Sequence, residues 1–120
     1  MGRGQAEDRD PPGQELTKPL LTEPEADREL EDAAAWYEGQ RLGLGIRFLE
    51  AVAATVDRIV RFPATGGFVP YVPAELKVRR VPVKGFPYHV VYLEAPDVIR
   101  LLAFAHTRRR PGYWLGRYAG

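Results

Sequence analysis

The chain has 120 residues, 45% of them hydrophobic, which is the length and apolar content of one globular domain. It has no cysteine, which excludes disulfides, thiolate metal sites and thiol nucleophiles and suits a reducing cytoplasm. The net charge is +1 but uneven: residues 1–63 hold 8 Lys/Arg against 13 Asp/Glu, a net −5, and residues 64–120 hold 9 against 3, a net +6. The basic half suits an anionic partner.

Residues 1–15 are rich in Gly, Pro and charge and lack the apolar stretch of a signal peptide, so they read as a disordered leader or an over-long start. The expected domain spans 16–120. No apolar run approaches the ~18 residues of a membrane span, so no membrane partner is expected. The run LTKPLLT, 16–22, is a strand, and Pro19 confines it to an edge or interrupts it.

TEPE, 22–25, has capping-box spacing between Thr22 and Glu25, and Pro24 fits a helix's first turn. Ala26, Leu30, Ala33, Ala34 and Tyr37 then share one side of a helix that stops near Gly39. The glycines of LGLG, 42–45, permit a turn. A second helix, about 45–62, carries the stripe Phe48, Leu49, Val52, Val56 and Ile59, with Arg58 and Arg61 in its last turn and Pro63 ending it. So short a connection makes the two an antiparallel hairpin.

Beyond residue 63 the pattern changes from helical to alternating. Residues 64–73 read as a loop. Residues 76–83, 87–94 and 98–106 read as strands, separated by turns at Lys84-Gly85 and Pro96-Asp97. Pro82 points to an edge position for the first of them. The order β-α-α-β-β-β gives an α+β fold: an antiparallel four-stranded sheet with an N-terminal helical hairpin packed on one face.

A two-residue hairpin at Lys84-Gly85 sets Arg80 opposite His89. Alternation in the last strand gives the helices Ile99, Leu101, Ala103 and Ala105, and gives the far side Arg100, Phe104 and His106. On that register Arg80, His89, Phe104 and His106 share one open face, with Arg108 just beyond the strand end.

There is no P-loop, no GxGxxG after a strand and no HExxH, and two histidines do not make a metal site, so neither metal nor cofactor is expected. Arginines bind a scissile phosphate bidentately and stabilise the charge of an in-line displacement. Histidine supplies acid or base near neutrality. Tyr113 and Trp114 could stack on a base or serve as a C-terminal hydrophobic anchor. His89 has the alternative role of a cross-strand filler, and His106 that of a strand-end hydrogen-bonding group. Trp36-Tyr37 reads as core.

The segments AAAWYE (33–38), GLG (43–45), RFLEAV (47–52), RIVRFP (58–63), VRRVPVKGFPYHVVY (78–92) and AHTRRRPGYW (105–114), in this order, resemble the RelE/ParE family, the toxins of type II toxin–antitoxin systems. The resemblance covers roughly residues 20–114. It implies a RelE-like fold, a cytoplasmic protein and a cognate antitoxin that neutralises it. It also implies one of two activities. RelE-like members cut mRNA at the ribosome without a metal, inhibiting translation, and ParE-like members inhibit DNA gyrase without being enzymes. The leading expectation is the endoribonuclease. On it, Arg80 and Arg108 bind the scissile phosphate, His106 or His89 supplies acid/base function, and Tyr113 completes the catalytic group. Arg79, Arg109, Arg110 and Trp114 would bind RNA. His89 stands where RelE-like nucleases carry an arginine, and Pro82 where they carry a second lysine.

Overall fold

The computed structural model describes residues 18–118, so the expected leader and the first residues of the expected domain lie outside the described residues. The elements are β1 (Leu20–Thr22), α1 (Pro24–Gln40), α2 (Leu44–Arg61), β2 (Gly67–Phe68), β3 (Val78–Pro82), β4 (Tyr88–Glu94), β5 (Ile99–His106) and α3 (Leu115–Tyr118). The α+β class and the helical hairpin hold, but the sheet has five strands, in the order β1-β5-β4-β3-β2, and it is mixed. The fifth strand is β2, inside the segment expected to be a loop. The mixed character comes from β1, which pairs parallel with β5, Leu20 against Ile99.

The α1/α2 hairpin is built on two glycines. Gly43 has φ +88°, which a residue with a Cβ adopts only at a cost. At Gly45 a Cβ would lie 2.6 Å from the Ala34 carbonyl oxygen, so the helices cross closely only because it is glycine. The Glu38 carboxylate accepts the N–H groups of Gly43 and Gly45, at 2.9 and 3.0 Å, and so satisfies donors at the start of α2. The capping box expected at Thr22 and Glu25 does not form: Glu23 is the N-cap residue and makes no side-chain cap bond. Its side chain instead holds Arg100, at 2.8 Å.

Both faces of the sheet are covered. On one, Ala26, Ala33, Phe48, Val52 and Ile59 of the hairpin bury Val81, Val90, Ile99 and Leu101. On the other, Val69 and Trp114 close over Val78, Val91, Leu102, Ala103 and Ala105. The expected solvent-facing side is therefore a second small core, roofed by the segment after β2 and by the C-terminal segment.

Two registers differ from the expected ones. The β3/β4 loop is four residues long: Val83 N–H bonds the Tyr88 carbonyl, and Pro82, not Arg80, lies opposite His89. A shift of two preserves facing, so Arg80 and His89 still share a side. Pro82 is not on an edge strand, but it lies past the end of the two-residue β2, and its ring nitrogen points away from β4, where no ladder bond is lost. In β5 an irregularity falls between the pairs Val91–Ala103 and Tyr92–Leu101, leaving Leu102 as an extra residue. Such a bulge inverts facing beyond it. Ile99 and Leu101 meet the helices as expected. Ala103 and Ala105 face the second core, and Phe104 and His106 turn to the hairpin side.

Candidate functional site

The chemistry-bearing residues gather where the C-terminal segment meets α1 across the rim of β5. β1 pairs with β5 only as far as Leu101, so the rim from Leu102 to His106 has no neighbouring strand. Glu29 of α1 fills part of that gap. Its Oε1 accepts the Phe104 N–H at 3.1 Å, and its Oε2 accepts the Tyr113 hydroxyl proton at 2.6 Å. The Arg117 guanidinium reaches the same carboxylate through both terminal nitrogens, at 3.0 and 3.1 Å, and also donates to the Leu102 carbonyl at 3.1 Å. Glu29 and Arg117 thus replace a missing strand at residues 102–104. Sequence reading missed both, although α1 places Glu25, Glu29, Asp32 and Trp36 on one stripe, which was the available signal.

A cavity of about 480 Å³ opens beside this clasp. Phe104 and Ala33 contribute apolar surface, Tyr37 and Tyr88 aromatic walls, and Asp32, Trp36, His106, Arg109 and Tyr113 the rest with Glu29. Tyr88 meets His106 edge to face with ring centroids 5.1 Å apart. The His106 Nδ1 accepts the Arg108 N–H at 3.1 Å, so neutral His106 carries its proton on Nε2. The Arg109 guanidinium lies 3.8 Å above the Tyr113 ring, within cation–π distance. Burial and the hydrogen bond to Glu29 push the Tyr113 phenol far above its ordinary range near 10, so it stays a hydrogen-bond donor.

The residues expected to converge are divided by the sheet. His106, Arg109 and Tyr113 line the cavity on the hairpin side, while Arg80 and His89 lie on the opposite face. Burial, then the positive charge of Arg80, lowers the His89 pKa and keeps that imidazole neutral. Arg108 and Arg110 are exposed in the turn after β5. Arg79 faces the hairpin side, where it donates to the Gly66 carbonyl at 2.6 Å and stacks 4.2 Å over Phe68. Trp114 is 1% exposed and packs in the second core, so of its two expected roles the anchor fits and the stacking platform does not. Tyr37 is half-buried in an aromatic cluster with Phe48, Phe86 and Tyr88, as expected, but its neighbour Trp36 is 60% exposed. No helix of the described residues is long and apolar enough to cross a membrane.

Comparison with known proteins agrees with this architecture. A family model described as the ParE toxin of type II toxin-antitoxin system, parDE, matches residues 20–111. Among solved structures, a chain of a chromosomal ParDE TA system from P. aeruginosa is similar, with 16% identity and a TM-score of 0.61. The alignment covers 75% of this chain and 96% of that one, a likeness that speaks for the fold. No curated protein matches the chain. The matched region runs from β1 through the turn after β5, and the chain belongs to the ParE toxin family of type II toxin–antitoxin systems.

Proposed function

We propose that this toxin acts by binding, as an inhibitor of DNA gyrase neutralised by its antitoxin, rather than by cutting mRNA. The observation that carries the reading is the exposed apolar surface toward the loop end of the helical hairpin. Leu42, Ile46 and Leu49 are 91%, 62% and 40% exposed. Large side chains grouped in this way suit the desolvated centre of a protein contact. Ile46 and Leu49, three residues apart, share one side of α2, and Leu42 lies in the turn just before it. The separation of Arg80 and His89 from His106 favours the same reading, because acid/base and phosphate-binding groups for one reaction must converge on one reacting centre. The exposed arginines Arg108, Arg109 and Arg110 would then steer an acidic protein surface.

The test pairs a gyrase supercoiling reaction with translating ribosomes whose mRNA is read by primer extension. Inhibited supercoiling with uncut mRNA is expected, and Ile46→Lys should relieve the inhibition. Discrete codon-positioned cuts with normal supercoiling would overturn the reading and return Arg80, His89, His106, Arg108 and Tyr113 to the catalytic group expected from the sequence.

A further inference from the structure

The rim of β5 retains a gap that Glu29 and Arg117 do not fill. Thr107 N–H bonds the Pro87 carbonyl, so residue 107 and, two residues back, Ala105 opposite His89 turn their backbone groups toward β4. The backbone groups of Phe104 and His106 therefore point outward. Phe104 N–H is taken by Glu29, and the His106 carbonyl accepts the Arg109 N–H at 2.9 Å. The Phe104 carbonyl and the His106 N–H have no partner among the described residues.

One acceptor at 104 and one donor at 106 are what a single residue of a parallel strand needs, since its N–H and C=O bond the residues on either side of the one it faces. β1 already runs parallel to β5 along this rim and leaves it after Glu23, whose N–H bonds the Leu101 carbonyl at 3.0 Å. An added strand would resume the line of β1. Residues flanking its hydrogen-bonded one would face the hairpin side, where the cavity lies.

The cavity selects the side chain. Glu29 is neutralised by Arg117, and Arg109 is stacked on Tyr113. Asp32 has no ion-pair partner among the described residues, and it stands beside the rings of Trp36, Tyr37 and Tyr88. The charge of α1 points the same way, with six acidic residues against one arginine. A carboxylate beside aromatic faces suits an ammonium or guanidinium group.

We propose that the unpaired rim of β5 at Phe104–His106 binds an extended peptide segment of the antitoxin, parallel to β5, which places a lysine or arginine side chain in the cavity against Asp32. This rests on the antitoxin as the partner that the family implies, and it does not depend on the toxin's target. The test is amide hydrogen exchange at His106, read by NMR on the full chain alone and in complex with the antitoxin encoded beside it. The His106 amide should exchange freely in the free chain and become protected in the complex. Asp32→Lys, an exposed change, should leave thermal unfolding unchanged and weaken the complex about tenfold or more. A complex in which His106 exchanges as fast as in the free chain overturns the site and leaves the partner standing. Failure of the wild-type chain to bind the antitoxin at all overturns the partner and the site together. Protection of His106 already in the free chain overturns the proposal in favour of the chain's own residues 1–17. An Asp32→Lys chain that binds as tightly as wild type overturns the cationic side chain.

Discussion

Replacing Glu29 by glutamine keeps the side chain's shape and removes its charge. One carboxylate here receives the Phe104 N–H, the Tyr113 hydroxyl and two guanidinium nitrogens of Arg117. A glutamine offers one oxygen to these groups and turns an NH₂ toward the rest, so at least one Arg117 nitrogen faces another donor. Hydrogen bonds to a charged group contribute about 1.5–3 kcal/mol each, but Glu29 and Arg117 are 19% and 16% exposed, so water recovers part of the loss. The expected destabilisation is about 2–3 kcal/mol, a large share of the ~5–15 kcal/mol that holds a domain of this size together. At roughly 4–8 °C per kcal/mol, melting should fall by about 10–20 °C. Urea unfolding gives the same quantity as a lower midpoint at unchanged slope. Tyr113→Phe removes one donor and leaves Arg117 paired, so it should cost about 1 kcal/mol. In the double variant the two losses should be less than additive, because the groups share one network. A Glu29→Gln chain within about 0.5 kcal/mol of wild type would refute the clasp as a stabilising unit.

Trp114→Ala should destabilise the chain by about 3–5 kcal/mol in the same unfolding experiment, as expected for a core tryptophan; an unchanged midpoint would place the ring outside the core. Gly45→Ala should cost about 1–3 kcal/mol by pushing α1 off α2 at the Ala34 carbonyl, again read by urea unfolding. His89 has a folded-state pKa below its unfolded value, so the unfolded chain binds the extra proton first. Stability should therefore fall as pH drops through about 6.5 toward the lowered value, and His89→Gln should flatten that part of the profile. Tyr113 has its pKa raised, so its contribution is present below about pH 10 and lost above it; phenolate absorbance should show one tyrosine still protonated when exposed ones have ionised.

The hairpin and four of the strands were legible because their signals are local: two apolar stripes of helical period, the glycines at 43 and 45, Val-rich alternation, and the short apolar run that ends at Thr22. β2 was not, because a two-residue strand carries no period. The capping expectation failed because Glu23, one residue past Thr22, took the boundary and its carboxylate went to Arg100. Arg80 and His89 were placed on a common side correctly, since the register error of two preserved parity. His106 was misplaced because nothing in IRLLAFAH marks an extra residue at Leu102; a run of apolar side chains fits either facing. The clasp around Glu29 was hidden for another reason: its partners lie 75 to 88 residues away in sequence.

That extra residue also bears on which changes of chain length the toxin can absorb. A deletion anywhere in the turn after β5 shortens a surface excursion. Deleting Leu102 would instead remove the bulge: Leu101 would still face Tyr92 and Ala103 would still face Val91, so Phe104 and His106 would stay on the hairpin side. The second core would lose the Leu102 side chain, and Arg117 would lose the Leu102 carbonyl that it holds. Related chains should therefore vary freely in length around residues 107–112, and within β5 the bulge is the place where a residue can be lost without changing facing. A homologue lacking this one residue should keep its histidine on the hairpin side, over a smaller second core.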